Sequence, residues 1–202
     1  MILAIDTSTA TCTAALLGDS SEVICAAQEL IGRGHAERLM PMVAELLDGK
    51  RPDGILVGVG PGSFTGIRVG IAAAHGMAIG WGAQISGMSS LALLAAAART
   101  DRPVAAAMAG GHGELFVQQF TPSLEPASDL LNLPPAGAAT AVDAQLVVGT
   151  GASALVEARG WGKAIECWPS AADALALPAA LRSLAPAPIY ARAPDAKVKN
   201  AA

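Results

Sequence analysis

The residues able to do chemistry gather in two short stretches. Asp6-Thr7-Ser8-Thr9 closes the apolar run Met1-Ile2-Leu3-Ala4-Ile5. Gly60-Pro61-Gly62-Ser63-Phe64-Thr65-Gly66-Ile67-Arg68 follows a second apolar run over 54–59. A carboxylate at the end of a strand, beside three hydroxyl residues, is placed to orient a metal-bound phosphate. The same four residues equally suit an Asx or Ser/Thr turn. A glycine-rich turn ahead of a helix offers backbone N–H groups to an anion. Positions 60–66, however, lack the Gly-Lys-Ser/Thr ending of a phosphate loop and do not follow Gly-x-Gly-x-x-Gly. Ser63 or Thr65 reads as a helix cap instead. Arg68 falls in the first turn of that helix, where the dipole disfavours a cation, so it needs a carboxylate partner in this chain or on another protein.

Histidines and nucleophiles add no chemistry. His35 opens a helix with Glu37 and Arg38 behind it, but a helical metal pair needs a second ligand three or four residues away. Positions 31, 38 and 39 are Ile, Arg and Leu, and His75 and His112 are isolated. No Ser or Cys has an identifiable His partner. The residues therefore predict neither catalytic side chains nor metal ligands.

The elements that must carry these residues are legible from periodicity. Strands are predicted over 1–5, 11–17 and 22–30, joined by short turns into an antiparallel meander. A helix over 35–47 follows, with Leu39, Met42, Val43 and Leu46 on one face. Next come the strand 54–59, a helix from about 66 to 81, a short strand near 84–87 and a helix from Ser89 or Ser90 to about 98. The order βββαβαβα is an α/β pattern whose later strands join in parallel. The helix 66–81 has two rows of small residues, Gly66/Gly70/Ala74/Ala78 and Ala72/Gly76/Gly80. Each interior Gly costs a helix about 1 kcal/mol relative to Ala, so close approach on those faces is the expected compensation. The chain's own sheet or a partner protein could supply it.

Beyond the polar break 99–103, a hairpin is predicted over 104–120, a weakly structured Pro/Ala-rich connection over 122–139, and short strands and a helix over 144–167. A final helix over 170–184 is predicted, capped by Ser170 and kinked or divided by Pro178. Residues 1–100 are thus read as an N-terminal subdomain with the interaction helices. Residues 101–202 are read as a smaller, degenerate companion whose terminal helix packs back on the first. The 202 residues are 52% hydrophobic but only 3% aromatic, with net charge −4, which does not suit a protein gripping nucleic acid alone. No uninterrupted apolar run is long enough for a membrane span. With no basic leader and three unpaired cysteines, Cys12, Cys25 and Cys167, the expected setting is a reducing cytoplasm.

The pairing of Ile2-Leu3-Ala4-Ile5-Asp6-Thr7-Ser8 with Gly60-Pro61-Gly62-Ser63-Phe64-Thr65-Gly66-Ile67-Arg68 resembles the TsaB (YeaZ) family of bacterial tRNA-modification proteins. His35-Ala36-Glu37-Arg38-Leu39-Met40-Pro41 is similar to that family's His-containing helix, and Tyr190-Ala191-Arg192-Ala193-Pro194-Asp195-Ala196-Lys197 to its terminal segment. The match is dense over 1–90 and sparse afterwards. The resemblance implies an actin/Hsp70/sugar-kinase-like (ASKHA, ribonuclease H-like) fold of two related subdomains, each a mixed sheet flanked by helices. It also implies a non-catalytic role in making threonylcarbamoyladenosine beside the anticodon of tRNAs that read ANN codons. In that role the chain scaffolds or activates the catalytic paralogue TsaD. The ATPase TsaE joins them, tRNA is met through the complex, and ATP and metal belong to the partners rather than to a cofactor of this chain.

On this reading His35, Leu39, Met42, Gly66, Arg68, Gly70, Ala73, Ala74 and Met77 form the partner or self-association interface. Asp6, Thr7 and Ser8 are a vestigial nucleotide loop, and Gly60, Pro61, Gly62, Ser63, Phe64 and Thr65 are the turn that aims the helix. A bulky residue at Gly70 or Ala74 is expected to abolish association while sparing the fold. The family's Asp-Ala-Arg is replaced here by Ala109-Gly110-Gly111, which removes two charges from the second subdomain's counterpart of the Asp6 turn. The glycoprotease (peptidase M22) label attached to the superfamily finds no support in these residues. The alternative is an ATP-dependent small-molecule kinase or ATPase of the same fold that uses Asp6.

Overall fold

The computed structural model describes residues 1–20 and 22–190. Two five-stranded sheets carry the chain. Strands β1 (Ile2–Asp6), β2 (Thr11–Leu17), β3 (Val23–Leu30), β4 (Gly54–Gly58) and β5 (Gln84–Met88) form the first, in the order β3-β2-β1-β4-β5. Strands β6 (Val104–Ala109), β7 (Leu115–Phe120), β8 (Leu131–Leu133), β9 (Leu146–Val148) and β10 (Lys163–Ile165) form the second, in the order β10-β9-β6-β7-β8. In each, the first three strands are an antiparallel meander, the fourth joins the first in parallel, and the fifth joins the fourth in parallel. The two sheets therefore repeat one topology, the two-subdomain arrangement of the actin/Hsp70/sugar-kinase-like fold.

The helices stack around these sheets. Helices α1 (His35–Leu47) and α2 (Phe64–Trp81) cover one face of the first sheet. Strand alternation decides which side chains they meet: Leu3, Ile5, Cys12, Ala14 and Leu16 point to that helical layer, whereas Ala4, Ala15 and Leu17 point the other way. Helix α3 (Ser90–Ala97) has the sequence SLALLAAA, with no polar face beyond its first residue. Residues 90–96 are all buried, because α3 lies between the two sheets among side chains from both. Helices α4 (Pro135–Ala141) and α5 (Ala152–Arg159) cover the far face of the second sheet.

Three expectations are corrected here. The stretch 122–139 is not merely a connection: it contains β8 and α4, the third strand and first helix of the second repeat. Both were hard to read because β8 is three residues long and α4 is PAGAATA, with no apolar stripe. The continuous helix expected over 170–184 is a 3₁₀ helix, Ala171–Ala176, followed after Pro178 by the four-residue α6 (Ala179–Arg182). Ser170 makes no side-chain cap bond. That segment returns to the first sheet. Ala171 N–H donates to Thr13 Oγ1 (3.1 Å), Leu184 exchanges backbone bonds with Gly87, and Ile189 N–H donates to the Val59 carbonyl (2.8 Å). Of the terminal motif only Tyr190 is among the described residues. No helix among them is long and apolar enough to cross a membrane.

Candidate functional site

The two chemistry-bearing stretches of the sequence are locked to each other. Ser63 N–H donates to the Ser8 carbonyl (2.7 Å), and Thr7 Oγ1 donates to the Gly66 carbonyl (2.7 Å). A side chain at Gly62 would run into the Ser8 carbonyl and one at Gly66 into the Thr7 carbonyl, so glycine is required at both for this approach. Ser63 caps α2 by accepting from Gly66 N–H (3.2 Å); Thr65 lies inside the helix. Pro61 is buried in the turn, after Gly60 with its positive φ of 99°.

Asp6 lies beneath this knot, with none of its surface exposed. Its Oδ1 accepts from Ser8 N–H (2.8 Å) and Ser8 Oγ (2.6 Å), and its Oδ2 accepts from Ser90 Oγ (2.6 Å). Ser90 in turn accepts from Gly60 N–H (3.3 Å). Burial pushes the Asp6 carboxyl above its ordinary range, and the bonds from Ser8 and Ser90 partly offset that. Gly58 must be glycine, because a Cβ there would collide with the Asp6 carboxylate. The carboxylate thus ties β1, the glycine turn and the start of α3 together.

Above the knot, between the subdomains, opens a cleft of about 950 Å³. The first subdomain contributes Ser8, Thr9, Ser63, Phe64 and Arg68, and the second contributes the 109–112 turn, Thr150 and Trp168. Asp6 does not line it. Arg68 sits one turn into α2, with its guanidinium 3.8 Å above the Phe64 ring and its Nε donating to Tyr190 Oη (3.0 Å). The helix starts at Phe64, two residues earlier than expected, so Arg68 lies beyond the first turn. A cation–π contact with Phe64, four residues back, holds it there.

The two small-residue rows of α2 meet different surroundings. Gly66, Gly70, Ala74 and Ala78 are buried, and a Cβ at Gly70 would meet Thr7 Oγ1 at 2.5 Å and Val57 at 3.6 Å. Gly76 and Gly80 face open space, and Ile79 between them is 84% exposed.

Comparison with known proteins places this arrangement. A family model described as "TsaD: tRNA N6-adenosine threonylcarbamoyltransferase" matches residues 26–130, just over half of the chain. YeaZ from Pseudomonas aeruginosa superposes with a TM-score of 0.78 at 31% identity, covering 94% of this chain and 98% of that one. The chain belongs to the TsaB/YeaZ family. A second solved structure, an uncharacterized protein from P. aeruginosa with similarity to peptidase YEAZ, gives a TM-score of 0.82 at 32% identity over 95% of this chain and 99% of that one. Curated relatives are similar in sequence to part of it. The tRNA threonylcarbamoyladenosine biosynthesis protein TsaB of Escherichia coli is 40% identical over 99 residues, 46% of this chain. That of Bacillus subtilis is 40% identical over 103 residues, 48% of this chain. The match spans 42% and 44% of the lengths of those two relatives.

For this TsaB/YeaZ chain the structure revises which expected residues could meet a partner. His35, Leu39 and Met42 are buried, with His35 Nε2 3.2 Å from the Thr11 carbonyl. Gly66, Gly70, Ala74 and Met77 are buried against the chain's own sheet. Each fills the space between helix and sheet, so none presents a surface to another protein. Ala73 is half-buried, and Arg68 belongs to the cleft mouth. The kinase alternative needs Asp6 open to a metal-bound phosphate, whereas its oxygens are sealed under Ser8 and Ser90. Among the described residues no three His, Cys, Asp or Glu side chains gather to hold a metal. Sequence reasoning missed Ser90, Thr150 and Ile79. Ser90 and Ile79 looked like ordinary helix residues, and only their orientation distinguishes them.

Proposed function

We propose that the chain is a non-catalytic subunit of a threonylcarbamoyl transferase complex and docks the catalytic paralogue TsaD through the outer face of α2. The supporting observation is the stripe Ala72, Gly76, Ile79 and Gly80. A large aliphatic side chain stands in solvent between two interior glycines that their own helix does not need. Glycines on such a face allow a second helix to approach closely. Family membership supports TsaD as the partner, since the relatives are named for threonylcarbamoyladenosine biosynthesis.

On this reading the chain has no catalytic residue and no cofactor of its own. ATP and metal belong to TsaD and the ATPase TsaE, and tRNA is met through the complex in the cytoplasm. Without a partner the same stripe favours a homodimer. The sealed Asp6 agrees with a subunit that shapes its partner rather than performing phosphoryl chemistry. The test is threonylcarbamoylation of an ANN-reading tRNA by the reconstituted complex, with this chain present, absent, or carrying Ile79→Asp. Modification should depend on the chain, survive Asp6→Asn and fail with Ile79→Asp. Full activity without the chain, or activity lost in Asp6→Asn with assembly intact, would overturn the reading.

A further inference from the structure

The segment that follows α6 crosses back over the first sheet and comes to rest on α2. Leu184 exchanges two backbone bonds with Gly87 in β5 (2.8 and 3.0 Å). A Cβ at Gly87 would meet the Ala185 carbonyl at 2.6 Å, so glycine is what lets the segment lie flat on that strand. Ile189 N–H then donates to the Val59 carbonyl (2.8 Å), directly ahead of the Gly60 turn, and its side chain packs on the core beneath α1 and α2. Tyr190 follows. Its ring centroid lies 5.6 Å from that of Phe64, the first residue of α2. The Arg68 guanidinium, one turn on, is 3.8 Å from the Phe64 ring and 5.9 Å from the Tyr190 ring, and its Nε donates to Tyr190 Oη (3.0 Å).

This end of α2 has little support of its own. It has no acidic residue in its first turn, and Gly66 and Gly70 are poor helix formers. From the inside, the Thr7 hydroxyl holds the Gly66 carbonyl and the Ser8 carbonyl holds Ser63 N–H, each at 2.7 Å. From the outside, Phe64 and Arg68 are met by Tyr190. The three side chains pack on one another rather than in the core: Phe64 is 57% and Tyr190 50% exposed.

We propose that the return segment 184–190 is a latch on α2, with Tyr190 as the positioning residue that clamps Phe64 and Arg68 from the outside. Lifting the segment loosens the first turns of α2 while both sheets stay folded. Leu184 and Ile189 are anchored by backbone bonds, whereas the Tyr190 stack stands in solvent with one hydroxyl bond, so the latch opens from that end. The latch is a property of the chain by itself, so it and the docking of TsaD stand or fall independently.

Hydrogen exchange of the intact chain, read residue by residue, tests it. Tyr190→Ala should speed exchange of the amides of residues 67–70 about threefold or more, with β1 and α3 exchanging as in the parent. Tyr190→Phe, which keeps the ring and loses only the hydroxyl, should recover most of the protection. Gly87→Ala lies in neither α2 nor the stack, yet it should loosen the same amides by pushing the segment off β5. Unchanged exchange over 67–70 in both Tyr190→Ala and Gly87→Ala would overturn the proposal. So would acceleration spread evenly over β1, α3 and α2, the mark of an ordinary stabilising contact, or a Tyr190→Phe chain as loose as Tyr190→Ala.

Discussion

Helix α2 has two rows of small residues with the same spacing and nearly the same composition, and the two do opposite things. The inner row, Gly66, Gly70, Ala74 and Ala78, lets the helix lie against β4 and the Asp6 turn, where a Cβ at Gly66 or Gly70 would strike Thr7. The outer row, Ala72, Gly76 and Gly80, is exposed, a Cβ at either glycine would meet open space, and the exposed Ile79 lies beside it. Spacing alone marks a face as permitting close approach. Whether that approach is internal or external depends on which row the turn at 60–66 aims at the sheet.

Substitutions should separate the rows most sharply in the core. Gly70→Leu forces a side chain into Thr7 and Val57, where overpacking costs about 3 kcal/mol or more. Chemical denaturation should show a protein largely unfolded or severely destabilised, not one that is folded and merely unable to associate. This revises the expectation that a bulky residue at Gly70 would spare the fold.

The Asp6 knot that positions the inner row should come next. Asp6→Ala leaves the buried Ser8 and Ser90 hydroxyls without their acceptor and should cost about 2–3 kcal/mol. Asp6→Asn, close in shape, should cost less and change the pH profile. The folded Asp6 carboxyl titrates above its unfolded value because of burial. The folded state therefore holds this proton more tightly, and the group's stabilising contribution is full below the unfolded value, near pH 4. That contribution is lost as pH rises through the raised folded value. Thermal melts taken upward from about pH 4 should show the parent losing stability relative to Asp6→Asn. Parallel profiles would mean that Asp6 does not titrate differently in the folded state.

The mildest change is expected on the outer row. Gly76→Ala adds a methyl group into open space on a helix and should stabilise the isolated chain by about 1 kcal/mol. For a chain of this size that is a rise of roughly 2–4 °C in melting temperature. A drop instead would mean that the outer face is covered in the chain by itself.

Much of the first subdomain was legible because its strands are long, apolar and bounded by turn residues, and α1 has a clear apolar stripe. The second subdomain repeats the same topology with less signal. Strands β8, β9 and β10 have three residues each, and α4 is nearly all Ala, Gly and Pro, so packing rather than periodicity forms them. At the site, the interlocking of the Asp6 and Gly60 stretches could be anticipated as two motifs but not as one hydrogen-bonded unit. That unit depends on Ser90, which lies 84 residues from Asp6 in sequence. The row expected to meet a partner is buried against the chain's own sheet, and nothing in the residue types distinguishes Gly70 from Gly76.

The most direct test is the affinity of the purified chain for its TsaD paralogue, measured for the parent, Gly76→Arg and Ile79→Asp after each has been shown to melt like the parent. Loss of binding in both folded variants is the predicted result. Undiminished affinity in both would contradict the assignment of the outer face of α2 as the docking surface.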